Sequence, residues 1–182
     1  MSTETPAWES FAYLVMNDVD ITRLMVNRMK EKNLLPFVSF RLNDGHHKEM
    51  PDDRLRFAMH NMSRFYYEHP EYRLGPDRAD WQQRVLNWAE PEVRIRVFSF
   101  IEEICRQYDL AGFELDFMRL PSFFDQQLTT SLQRKEIMTA FVKTVRKLLN
   151  ETSKSGQYKW LSVRIPCELS GLDRLGVDLK QF

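Results

Sequence analysis

Gly112-Phe113-Glu114-Leu115-Asp116-Phe117 alternates apolar and acidic side chains. In a strand this sends Glu114 and Asp116 to one face and Phe113, Leu115 and Phe117 to the other. A strand of a parallel sheet is normally apolar on both faces, so two carboxylates on one of them require a setting that admits charge. Two other segments repeat the pattern. Within Leu35 to Leu42, Ser39 and Arg41, with Asn43 just beyond, oppose Val38, Phe40 and Leu42; within Trp160 to Pro166, Ser162 and Arg164 oppose Leu161, Val163 and Ile165. A doubly wound sheet carries apolar helices on both faces and has no place for these groups. A barrel has one, because its outer face meets helices while its inner face can hold charges that open at the C-terminal rim. The pattern predicts an α/β fold of the (β/α)8 TIM-barrel type.

Outward from this strand the chain reads as strands alternating with helices, the order expected of right-handed βαβ units and a parallel sheet. Phe11 to Met16 reads as a short buried strand, and Ile21, Leu24, Met25 and Met29 follow at helical spacing until Asn33. Arg84 to Asn87 reads as a short strand. Pro91 to Tyr108 is a helix with Pro in its first turn and Val93, Val97, Phe100, Ile101 and Ile104 on one face. Ser131 to Asn150 is a second long helix, and a further one begins after Leu172. About five strands can be counted where a full barrel has eight in ~250 residues, so the expectation is a single domain over residues 1–182 that forms the N-terminal part of a barrel. A polar insertion at about 43–83 holds all four histidines, and such a length between strands suggests a functional loop region. Open barrel edges would favour self-association.

Composition narrows the function. The 26 basic residues balance the 26 acidic ones, which gives no basic stripe for nucleic acid and no attraction to an anionic membrane. A 43% hydrophobic content can build a core, and no run approaches the ~18 apolar residues of a membrane span. No signal peptide is visible, so localisation is left open between the cytoplasm and secretion after processing. The 2 cysteines, Cys105 and Cys167, sit in apolar company and read as small buried hydrophobes. Gly171 to Gly176 has no phosphate-loop pattern, and no cofactor is implied.

The acidic pair carries the chemistry. Glu114 and Asp116, two residues apart on one face, have Cα atoms ~6.5–7 Å apart, so their carboxyl groups can be neighbours. Neighbouring carboxylates in a restricted site separate into an acid and a base or nucleophile, which glycoside hydrolysis requires. Their alternative role is structural, paired with Arg41 and Arg164 to fill the interior.

The stretches Leu86-Asn87-Trp88-Ala89-Glu90-Pro91-Glu92-Val93-Arg94, Gly112 to Arg119 with Pro121 and Phe124 after it, and Phe40-Arg41-Leu42-Asn43-Asp44-Gly45-His46-His47 resemble an uncharacterised bacterial family of glycoside-hydrolase-like (β/α)8 barrels. The likeness runs over roughly Leu34 to Phe182. It implies a sugar-cleaving protein with its pocket at the strand C-terminal ends. Asp116 then matches the acidic residue that ends the fourth strand, with Glu114 inward of it, Arg119 just outside, and Asn43, Asp44 and His46 on the rim. Strands six to eight, where such enzymes commonly hold a second carboxylate, have no counterpart here.

The resulting expectation makes Asp116 the principal acid/base or nucleophile and Glu114 its partner. Arg41, Asn43, Asp44, His46, His47, Asn87, Trp88, Arg119, Arg164 and Glu168 orient the carboxylates or bind a carbohydrate. Trp88, Phe123 and Phe124 offer rings for stacking on sugars or for core packing. A non-catalytic carbohydrate-binding or structural barrel fragment is the alternative. A metal-dependent hydrolase is a third reading, with Asp44, His46 and His47 as ligands.

Overall fold

The computed structural model of the protein describes residues 13–43, 63–75 and 84–182. Helix α1 (Ile21–Glu31) leads into β1 (Phe37–Arg41), and α2 (Arg64–Glu68) with a 3-10 turn (Pro70–Tyr72) follows. Then come α3 (Pro91–Gln107), β2 (Gly112–Asp116), α4 (Ser131–Glu151), β3 (Trp160–Arg164), a second 3-10 turn (Leu169–Gly171) and the short α5 (Leu172–Leu175).

Local chemistry sets these boundaries. Asp20 opens α1 by accepting the Arg23 backbone N–H at 2.8 Å, and the Tyr108 hydroxyl donates to the same carboxylate at 3.1 Å, which ties α1 to the end of α3. Pro91 starts α3, where its missing N–H costs nothing. A reciprocal capping box between Thr130 and Gln133 opens α4. Gly176 closes α5 at φ +72°, and a Cβ there would lie 2.4 Å from the Arg134 carbonyl oxygen, so the close approach of α5 to α4 requires glycine.

The three strands form one parallel sheet in the order β1-β2-β3. Because spatial order follows chain order, the two crossovers, right-handed as such connections are, lay α3 and α4 on the same face. Val38, Phe40, Phe113, Leu115, Leu161 and Val163 on that face join one core with Val93, Val97 and Ile101 of α3 and Met138, Val142 and Val145 of α4. The opposite face presents Phe37, Ser39 and Arg41 on β1, Gly112, Glu114 and Asp116 on β2, and Trp160, Ser162 and Arg164 on β3.

This arrangement corrects the expected barrel. Among the described residues the strands make a single open sheet of three, too few to close on themselves, in place of about five βα units. Mid-strand charge is accommodated for a different reason: among the described residues both crossover helices lie on one face, and the polar groups stand on the other. The strand expected at Phe11 to Met16 is helical at residues 13–16, with Tyr13, Val15 and Met16 exposed. The strand expected at Arg84 to Asn87 reduces to one antiparallel bridge between Arg73 and Leu86. Much of the insertion at about 43–83 lies outside the described residues. Among the described residues no helix is long and apolar enough to cross a membrane.

Candidate functional site

Parallel register aligns the polar face of the sheet in three transverse rows. Phe37, Gly112 and Trp160 form the first, Ser39, Glu114 and Ser162 the second, and Arg41, Asp116 and Arg164 the third, at the C-terminal ends of the strands. The ladder runs one residue further, with the Leu42 N–H donating to the Asp116 carbonyl at 3.2 Å and the Phe117 N–H to the Arg164 carbonyl at 2.9 Å. Backbone pairing on both sides therefore fixes β2 at the height of the carboxylates.

Asp116 is 3% exposed, and both of its oxygens accept hydrogen bonds. The Met118 backbone N–H donates to Oδ1 at 2.8 Å, and Arg164 Nη1 donates to Oδ2 at 3.1 Å. The Arg164 side chain is 60% exposed, so the ion pair has a dry end and a wet end. Glu114, half-buried, accepts the Ser39 hydroxyl at Oε1 at 2.7 Å. Arg41 is exposed and makes no ion pair among the described residues. With strands ~4.8 Å apart, the guanidinium-bearing strands β1 and β3 flank Asp116 at ~10 Å from each other. A carboxylate between two arginines, next to a second carboxylate held by a hydroxyl, can bind a polar substrate and move or stabilise charge upon it.

Asn43 follows β1 and is buried; its Nδ2 donates to the Ser122 carbonyl at 2.6 Å, which ties the loop after β1 to the loop after β2. Its Oδ1 is buried with no hydrogen-bond partner among the described residues. Arg119 is exposed just beyond β2, and Glu168 is exposed beyond β3, where it accepts the Ser170 hydroxyl at 2.7 Å. The structure thus brings Arg41, Glu114, Asp116 and Arg164 onto one face, with Asn43 bracing the loop at its C-terminal edge.

Two expected site residues stand elsewhere. Trp88 is 0% exposed and packs edge-on against Phe123 and Phe141, with centroids 5.7 and 4.9 Å away, so its ring belongs to the core and not to a sugar platform. Asn87 is a turn residue: its Oδ1 accepts the Ala89 N–H at 3.0 Å and its backbone N–H donates to the Tyr72 carbonyl at 2.8 Å. Asp44, His46 and His47 lie outside the described residues.

Ser39, Phe37 and Trp160 also stand on this face, as the same alternation places them. Ser39 holds Glu114. Phe37 and Trp160, 41% and 57% exposed, place aromatic rings on the face, and Phe37 lies over Gly112 so closely that a Cβ there would be 2.2 Å from its ring. Their signal was the i, i+2 relation to Ser39 and Ser162, masked because an aromatic at a strand start reads as core. Compared with known proteins, the chain matches no family model and no curated sequence.

Proposed function

We propose that the protein is a glycoside hydrolase acting through the carboxylates of the polar sheet face. The observation that supports this most is that Glu114 and Asp116 share one face, with Asp116 at the C-terminal ends of the parallel strands, where open α/β sheets bind ligands, and Glu114 one row inward. Asp116, gripped by Arg164 and the Met118 N–H, is positioned to serve as nucleophile or to stabilise an oxocarbenium-like charge. Glu114 has a single hydrogen bond among the described residues, from Ser39, and suits the proton-transfer role. Arg41, free of an ion pair among the described residues, orients hydroxyl or acidic groups of the sugar.

The test is reducing-end release from a panel of polysaccharides and aryl glycosides by the wild type, Glu114→Gln and Asp116→Asn. Each substitution should lower turnover by ~10²–10⁴-fold; unchanged turnover in either variant removes that residue from the chemistry.

One feature supports a second reading, a carbohydrate-binding module without turnover. Exposed Phe37 and Trp160 share the face with the polar rows, and aromatic rings beside hydrogen-bonding groups are a surface on which a sugar can stack. Glycan binding by the wild type with no product after long incubation, and its loss in Trp160→Ala, would favour this reading over hydrolysis.

A further inference from the structure

At the other end of the strands, away from Asp116, two adjoining cavities of about 380 and 440 Å³ meet at Asp109 and Lys159. Lys159 immediately precedes β3, where its carbonyl accepts Arg146 Nη1 at 2.7 Å. Its side chain is buried, with the residue 4% exposed, and it lines both cavities. The ammonium group has three N–H donors and one hydrogen-bond acceptor among the described residues, Thr152 Oγ1 at 3.2 Å. No carboxylate there stands within ion-pair distance of it. Burial holds its pKa below the ordinary lysine value, as expected of an amine short of counter-charge.

The neighbouring charges do not make up the deficit. Lys30 and Lys154 both pair with Asp109, Lys154 at 2.7 Å, so three ammonium groups surround one carboxylate. The other charged groups on the cavity wall are engaged elsewhere, Arg106 with Glu102 at 2.7 Å and Glu151 with Lys147 at 3.8 Å. The Cys105 thiol, which burial pushes up to about 11, is neutral and contributes no negative charge. Tyr108 directs its hydroxyl to Asp20.

A buried cation with spare donors, in a cavity whose charged groups are positive in excess, is complementary to a multivalent oxyanion. We propose that this cavity at the N-terminal edge of the sheet binds a phosphate group, free or as the monoester of a small molecule, with Lys159 as its inner contact and Lys30 and Lys154 at its lip. The site is separate from the carboxylate face and does not rest on the hydrolase reading.

The experiment titrates the full chain, in buffer free of phosphate and sulfate, with inorganic phosphate and separately with a hexose 6-phosphate, against sodium chloride at matched ionic strength. Calorimetry and thermal melting are the readouts. Saturable binding of either phosphate species, absent with chloride and weakened about tenfold or more in Lys159→Met, is the expected result. Tighter binding of the ester assigns the site to a phosphorylated metabolite, and equal binding to the free anion. No saturable binding by the wild type, or equal affinity in Lys159→Met, overturns the proposal. Should that variant fail to fold, Lys154→Ala decides: a several-fold loss of affinity supports the site, and unchanged affinity overturns it.

Discussion

Asp116 can be examined by stability as well as by activity, because its two hydrogen bonds separate cleanly. Asp116→Asn keeps an acceptor for the Met118 N–H but removes the charge that Arg164 pairs with. Since the Arg164 side chain is 60% exposed and returns to water, the loss should be about 1 kcal/mol, near the upper end for a half-exposed pair. Asp116→Ala also strands the Met118 N–H and leaves a small void in a position 3% exposed, which should bring the total to about 2–3 kcal/mol. At roughly 2–4 °C per kcal/mol for a chain of this size, the two variants should melt ~2–4 and ~4–12 °C below the wild type. Urea denaturation of the wild type, both variants, Arg164→Ala and the double variant Asp116→Asn/Arg164→Ala gives the coupling energy directly. A coupling near zero, or equal destabilisation by Asn and Ala, would refute this division of the site's energetics.

Trp88→Ala should cost ~3–5 kcal/mol by denaturant melting, whereas Trp88→Phe should cost far less, because Trp88 Nε1 is buried without a partner among the described residues. Gly176→Ala should lose ~1–3 kcal/mol, as the new Cβ meets the Arg134 carbonyl oxygen at a positive φ; a neutral result would mean that α5 moves freely away from α4. In native protein a thiol reagent should modify exposed Cys167 rapidly and buried Cys105 only after unfolding. Above pH ~9 the unfolded Cys105 thiol ionises while the folded one, at about 11, does not, so stability should fall between those values in the wild type and fall less in Cys105→Ala. Hydrogen bonds from Lys154 and then Lys30 hold the Asp109 carboxyl below its usual value. The advantage of the wild type over Asp109→Asn should therefore be full above pH ~4 and vanish as the pH falls through the lowered folded value.

Period-two alternation made the strands and their faces legible: 112–116, 37–41 and 160–164 fall inside the segments read from sequence, and the acidic pair shares a face as its spacing requires. The long helices were legible from 3.6-residue periodicity, with Pro91 marking the start of the first, while the Thr130–Gln133 box that opens the second emerges only in the structure. Sheet closure was not legible. Polar strand faces announce that apolar helices do not cover that side, and an enclosed interior and an open face produce the same alternation. Phe11 to Met16 misled because apolar content over so short a run does not distinguish strand from helix. Trp88 was read toward the site by its position after a presumed strand, and only packing against Phe123 and Phe141 shows it to be core. The burial of Lys159 was not legible, since it depends on the end of α4 and on the distant segments around Leu34 and Asp109 that line the same cavities.

The most direct measurement is a crystal structure of Glu114→Gln soaked with an oligosaccharide of the kind the proposed hydrolase activity would cleave. A sugar lying across β2, with a glycosidic oxygen in hydrogen-bond reach of residue 114 and the anomeric carbon facing Asp116, is the predicted outcome. A sugar bound on any other surface, with the Ser39–Glu114 and Asp116–Arg164 groups facing only solvent, would contradict it.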